Sequence, residues 1–379
     1  MGPPTAGFSR HQGNSDMRRG VKSLTLTGGL LNYGYRKWWG QKRLSGPVAI
    51  DETCGPMAYG LVGELTGGSV RQGGNMNDNA KSMVLASFIG DALALGVHWI
   101  YNTHVIDKKY GRVTGMMAPE LASFHRGKNR GEFTQYGDQA LLLLETIASG
   151  GGFDSGRFAD SWRTFIKTYS GYMDQATKTT LENFKAGKDA GSAGSESDDL
   201  GGPARMAPLI YLYQDAPGKL IEAVQNQTRM THNGPEIVAV AEFFARTSLA
   251  VLDGESPRTA LEEVMGSHFN RAPFSEWVGR GLDSVGVDSR TAIEEFGQMC
   301  EVQAAFPATV HLIARYQDDF EQAMIENIMA GGDSAARGMI TGMVLGAYHG
   351  MDKIPARWLT GLAAHDRIVH LLNQIDVNG

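Results

Sequence analysis

Two cysteines in 379 residues are too few for a disulfide framework, and Cys54 and Cys300 belong to regions of different character. Neither stands in a CxxC pair, so no zinc or iron–sulfur ligand set is offered, and a reducing, intracellular compartment is expected. No apolar run reaches the roughly eighteen residues a membrane helix needs, so no membrane-spanning segment is expected. Positive charge is also short. Lys and Arg number 35 against 41 Asp and Glu, a net −6, with no arginine-rich block or aromatic-interleaved basic stripe. A nucleic-acid partner is therefore not expected. Alternating strand patterns of useful length are absent too, and nothing calls for a nucleotide cofactor.

What is present divides unevenly. The first fifty residues hold Arg10, Arg18, Arg19, Lys22, Arg36, Lys37, Lys42 and Arg43 against a single acid, Asp16. Both an organelle-targeting segment and a disordered extension fit that composition, and residues 1–78 are set apart as such an extension. From Asn79 onward helical spacing takes over, with Met83, Val84, Phe88, Ala92 and Leu95 recurring at three and four. Helices are expected over 138–148, 158–169, 174–184, 203–213, from Pro235, and over 256–267, 289–299, 300–316, 318–329, 333–350 and 355–375. The glycine-rich stretch KAGKDAGSAGSESDDLGG between them reads as a polar loop. Residues 79–379 thus predict one all-α domain, a single multi-helix bundle.

Polar groups cluster at helix starts. Asp333 opens a helix on which Gly338, Gly342, Gly346 and Gly350 recur every fourth position, a face that lets another backbone approach. Each such glycine costs about 1 kcal/mol against alanine, so close packing must compensate. Asp333 suits an N-cap, and Arg337 is placed for an i,i+4 pair with it. His98 sits at the polar end of GDALALGVHWIYN. Asp138 stands at the mouth of the 138–148 helix, where an N-cap is again the local reading. Asp198 and Asp199 close the glycine-rich loop ahead of Arg205, and Thr231 and His232 precede Pro235. Acids and histidines spread over the chain at helix starts suit a helical bundle with one composite site.

The order GDAL, a glycine–acid helix start, ARMAPL, TH..P and GGDS…GAYHG….IP.RW resembles the ADP-ribosylglycohydrolase family over roughly residues 79–375. HWIY, GGPARMAPL and MAGGDSAARGM are most similar to its branch holding the J crystallins and selenoprotein J. That resemblance implies an all-α fold and, in active members, two magnesium ions held by a Thr-Asp-Asp and an Asp-Thr-Asp-Thr motif. The first motif falls on Tyr136-Gly137-Asp138 and the second on Asp333-Ser334-Ala335-Ala336, while a further expected acid falls on His98. Asp138 and Asp333 are the metal carboxylates that remain, too few for a tight binuclear centre. A guanidinium at Arg337 is positioned to supply lost positive charge or to fork onto phosphate.

Two functional expectations follow. One is a divergent hydrolase of an ADP-ribosyl or related glycosidic bond, acting on an ADP-ribose-like small molecule or an ADP-ribosylated target. In it Asp138 is metal ligand or general base, and His98 and Asp199 are acid/base or positioning groups. Ser334, Arg337, His232 and Asp198 contact substrate, with Asp333 and Ser334 as ligands or ribose contacts. The other is a pseudo-enzyme of the same fold, crystallin-like, structural or ligand-binding.

Overall fold

A computed structural model describes residues 76–121 and 123–378. The basic extension and its targeting reading lie outside the described residues as far as residue 75, and the first helix begins at Met76. Among the described residues there are sixteen α-helices and no strand beyond two isolated bridges, Ser195–His232 and Asp199–Glu301. The all-α expectation holds.

The helix Ser334–His349 is the axis of the bundle, and every residue from Ser334 to Ala347 is buried. A helix buried all round owes its stability to the elements packed about it. Its glycine face meets the first helix, Met76–Ala94, running antiparallel. A Cβ at Gly90 would lie 2.2 Å from Gly338 O, one at Gly342 2.3 Å from Ala86 O, and one at Gly346 2.9 Å from Ser82 O. Backbone therefore rests on backbone along the pair. Ser82 Oγ adds a hydrogen bond to Gly346 O at 2.7 Å. The dispersion contacts of such close approach offset the helix propensity that glycine forfeits.

Several expected boundaries shift, each for a local reason. The helix expected from Asp138 begins at Gln135, capped by the Thr134 side chain, so Asp138 lies inside the first turn and is not the N-cap. That helix runs to Gly150, with Gly151 left-handed at φ 63° as its C-cap. Pro235 stands at the start of its helix behind Gly234, as expected. The single helix expected over 355–375 is two, Ala356–Gly361 and His365–Asn378. The chain breaks between them where Ala363 N donates to Gly131 O at 3.0 Å. Helices at Thr103–Tyr110, Pro217–Arg229 and Phe274–Asp283 were not expected from spacing.

Candidate functional site

The glycine pair before Asp333 is explained by three strands of chain meeting there. Gly331 and Gly332 are both left-handed, at φ 68° and 66°. Trp99 N donates to Gly332 O at 2.9 Å, Gly332 N to Ile100 O at 3.0 Å, and Asp333 N to Gln298 O at 3.0 Å. A Cβ on Gly332 would fall 2.1 Å from Gln298 O, so only glycine fits. Trp99 is held at φ 63°, a backbone conformation costly for a bulky side chain. Strain of this kind concentrates at functional positions.

Asp333 itself is buried. Its Oδ1 caps the helix at Ala336 N, 3.4 Å away, and its Oδ2 accepts from the Tyr136 hydroxyl at 3.1 Å. Burial and the charge of Asp199 push the carboxyl up to about 6, against Arg337, Tyr136 and the Ala336 amide. The expected i,i+4 ion pair with Arg337 does not form. The guanidinium turns away, donating from Nε to Asn327 Oδ1 (3.0 Å) and from Nη2 to Gly331 O (2.8 Å) and Asn327 O (3.2 Å). Three fixed acceptors hold the planar fork more firmly than one carboxylate on the next turn. Its Nη1 has no hydrogen-bond partner. Burial lowers Arg337 to about 10, with Asp333 the leading charge opposing that shift.

His98 is completely buried beside this helix start. Burial, His125 and Arg337 hold its ring well below the usual histidine range, so it is neutral. Ala335 N donates to its Nδ1 at 3.3 Å, which places the ring proton on Nε2. The 3.8 Å approach of Nδ1 to Asp333 Oδ1 is therefore no ion pair. Nε2–H and the Ser334 hydroxyl, like Arg337 Nη1, lack partners. Trp99 stacks on His98 at 4.3 Å and on His125 at 5.6 Å. Phe124 and Tyr172 meet its edge at 5.0 and 5.1 Å.

Asp138 stands apart from this group. Its Oδ2 accepts from Lys128 Nζ at 2.6 Å and from the Tyr169 hydroxyl at 2.5 Å. Burial raises its carboxyl above the usual range despite both partners. Asp91, wholly buried, accepts from Thr134 N (2.7 Å), Thr134 Oγ1 (2.5 Å) and Gly137 N (3.3 Å). Burial pushes it up to about 7. It anchors the start of the Gln135–Gly150 helix.

The glycine-rich loop is tied down at its acidic end. Leu200 N donates to Cys300 O and Val302 N to Asp198 O, while Ser195 pairs with Thr231 and Asn233. Asp198 leaves its side chain in solvent. Asp199 turns inward to His232 Nε2 at 2.9 Å, and His232 Nδ1 meets Thr231 Oγ1 at 2.8 Å. Burial raises Asp199, but His232, the Ser197 hydroxyl and the Gly201 amide outweigh it and hold the carboxyl far below the usual range. Buried Arg205 secures the arrangement through Gly201 O, Gln139 Oε1 and Thr231 Oγ1. Beyond Ser197 a polar cavity of about 650 Å³ opens, lined by Gln175, Thr179, Asn183, Lys188 and Asn233 among others.

Of the residues singled out in the sequence, Asp333, Ser334, His98 and Arg337 thus gather at one helix start, with the Asp199–His232 pair electrostatically coupled to them. Asp138 has its own partners, and Asp198 faces water. Lys128, Tyr136, Tyr169, Asn327 and His125 were not singled out. Lys128 reads as one more solvated base in HRGKNRGE, and nothing in its spacing announces Asp138 ten residues on.

An all-α bundle with a buried, multi-acid site where helix starts converge defines the class of protein. The ADP-ribosylglycohydrolase family model matches residues 73–378, and the chain belongs to that family. It is 23% identical over 319 residues to crystallin J1A of Tripedalia cystophora, covering 79% of this chain and 96% of that one. It is likewise 23% identical to the ADP-ribosyl-[dinitrogen reductase] glycohydrolase of Rhodospirillum rubrum, over 76% of this chain and 92% of the relative. A solved ADP-ribosylglycohydrolase-related protein complex superposes with a TM-score of 0.61 at 24% identity, over 79% of this chain and 97% of its own. Hydrolases and crystallins therefore both stand among its relatives.

Proposed function

We propose that this chain binds an ADP-ribose-like ligand at the Asp333 end without carrying out the hydrolysis that its enzyme relatives are named for. One observation carries the reading. The acids a hydrolase of this family would need free are engaged within the protein, Asp138 by Lys128 and Tyr169, and Asp199 by His232. A general base must reach the proton it removes, and the ammonium and phenol on Asp138 Oδ2 leave it only Oδ1 for that task. His98, neutral and enclosed, offers a hydrogen bond from Nε2–H and no base. Three unpartnered buried donors, on His98, Ser334 and Arg337, are what a ligand rich in hydroxyl and phosphate oxygen would satisfy.

The hydrolase reading keeps one specific support. Asp333, raised to about 6, exchanges its proton near neutral pH, as a general acid or base must. The experiment is a calorimetric titration of the full chain with ADP-ribose, paired with an assay for ADP-ribose release from an ADP-ribosylated protein. Binding without release is expected. Release establishes the hydrolase instead. Absence of both leaves a crystallin-like structural role.

A further inference from the structure

Each acid that remains from the family's metal motifs has an organic cation inside the protein. Lys128 Nζ sits 2.6 Å from Asp138 Oδ2, with both side chains largely buried. Arg337 is enclosed beside Asp333, its guanidinium fixed by Asn327 and Gly331 and its Nη1 unpaired. Where the motifs carry further oxygen donors, this chain has Gly137 and Ala335. The space at Gly137 is taken: a Cβ there would fall 2.7 Å from Asp91 Oδ2 and 2.8 Å from Phe133 Cβ. An acid has not simply been deleted, because Asp91 and Phe133 now pack against the bare backbone.

Magnesium demands near-octahedral oxygen coordination with carboxylate oxygens free to reach it. Asp138 carries Lys128 and Tyr169 on its Oδ2, leaving Oδ1, and Asp333 carries one donor on each oxygen, so two partly engaged carboxylates are all that two ions would have. Among the described residues no three His, Cys, Asp or Glu side chains come together to hold a metal ion. The residues present do not fit the family's pair of ions.

We infer that Lys128 is the resident counter-charge of Asp138 and that buried Arg337 supplies positive charge near Asp333 without touching it, so that the site's order and its ligand binding are independent of magnesium. The ligand clause rests on the function proposed above; the counter-charge clause does not. A covalently tethered cation holds its acid at every metal concentration, and chelators do not remove it.

The test uses the full chain, treated with EDTA and then titrated with magnesium chloride by calorimetry while the melting midpoint is followed. No saturable heat and a midpoint shift under about 1 °C are expected, since a ligand that does not bind the native state does not stabilise it. Saturable magnesium binding overturns the inference. In a second arm, Lys128→Gln lowers the midpoint by about 3–6 °C, and Lys128→Gln with Asp138→Asn regains at least half of that loss. Lys128→Arg stays near wild type. If Lys128→Gln melts with the wild type, or the double variant loses the sum of the singles, Lys128 is not the counter-charge and the inference falls. Arg337→Lys, which keeps the charge, stands in where Arg337→Gln does not fold, and it too is expected to remain insensitive to magnesium. Neither arm uses ADP-ribose. A failed ligand titration removes the ligand clause and leaves the counter-charge clause standing, and magnesium binding defeats the latter without touching the ligand reading.

Discussion

At one end of the site Asp138 keeps a formal charge pair: Lys128 at 2.6 Å, Tyr169 at 2.5 Å, and about a sixth of its side chain still in water. At the other end Asp333 is sealed in. It is met by a phenol and a backbone amide, while the nearest arginine is turned toward carbonyls and an amide oxygen. Both carboxyls are raised by burial, yet they are compensated differently. Asp138 relies on an opposite charge in contact, Asp333 on neutral donors and on staying partly protonated. A buried acid without a touching cation lowers its cost by holding its proton. The two acids are thus different kinds of group.

The largest expected effect is on the scaffold that carries both ends. Gly90→Val drives a side chain into Gly338 O, and backbone cannot yield as a flexible side chain does. A loss above about 4 kcal/mol, or no soluble protein, is expected in urea denaturation. A variant that melts like wild type would mean the helix pair does not set the site.

Asp333→Asn separates the two ends by size. The folded carboxyl titrates near 6, above its ordinary value of 3.8, so wild-type stability is fullest below about pH 4 and declines as pH rises through 6. Asn keeps the cap and carries no charge. The variant is expected to be more stable than wild type at pH 8 by about 1–3 kcal/mol, the gap closing by pH 4. A variant less stable at pH 8 would show that Asp333 is paired after all.

Asp138→Asn should move stability the same way but less, gaining under about 1 kcal/mol at pH 8, because burial raises this carboxyl while Lys128 and Tyr169 oppose the shift. Chemical denaturation in low salt reads it. Tyr136→Phe is of similar size, about 0.5–1.5 kcal/mol of loss at pH 8 and less at pH 4, where the Asp333 carboxyl is protonated. A pH-independent cost would assign the hydroxyl to packing and not to that carboxylate.

The sequence disclosed the helix start at Asp333 and the purpose of its glycine ladder, because both are local periodicities. Asp333 as cap needed only a short polar side chain before an apolar run. The neighbouring guess failed at Arg337, since i,i+4 spacing offers a partner but does not rank it against Asn327 and Gly331, which only the fold brings within reach. His98 was visible as a polar residue on an apolar helix end. Its tautomer was not, because that depends on the Ala335 amide 237 positions away. Lys128 was hidden for a related reason: an exposed-looking basic loop gives no sign of which acid it folds over.

By itself, then, the chain determined its all-α bundle and its central glycine-faced helix. These follow from residue type at fixed spacing, which short-range sterics and burial read directly. Tertiary structure alone decided which charge faces which acid, and which carboxyl holds its proton. Those depend on desolvation and on distances of a few ångströms between segments far apart in sequence.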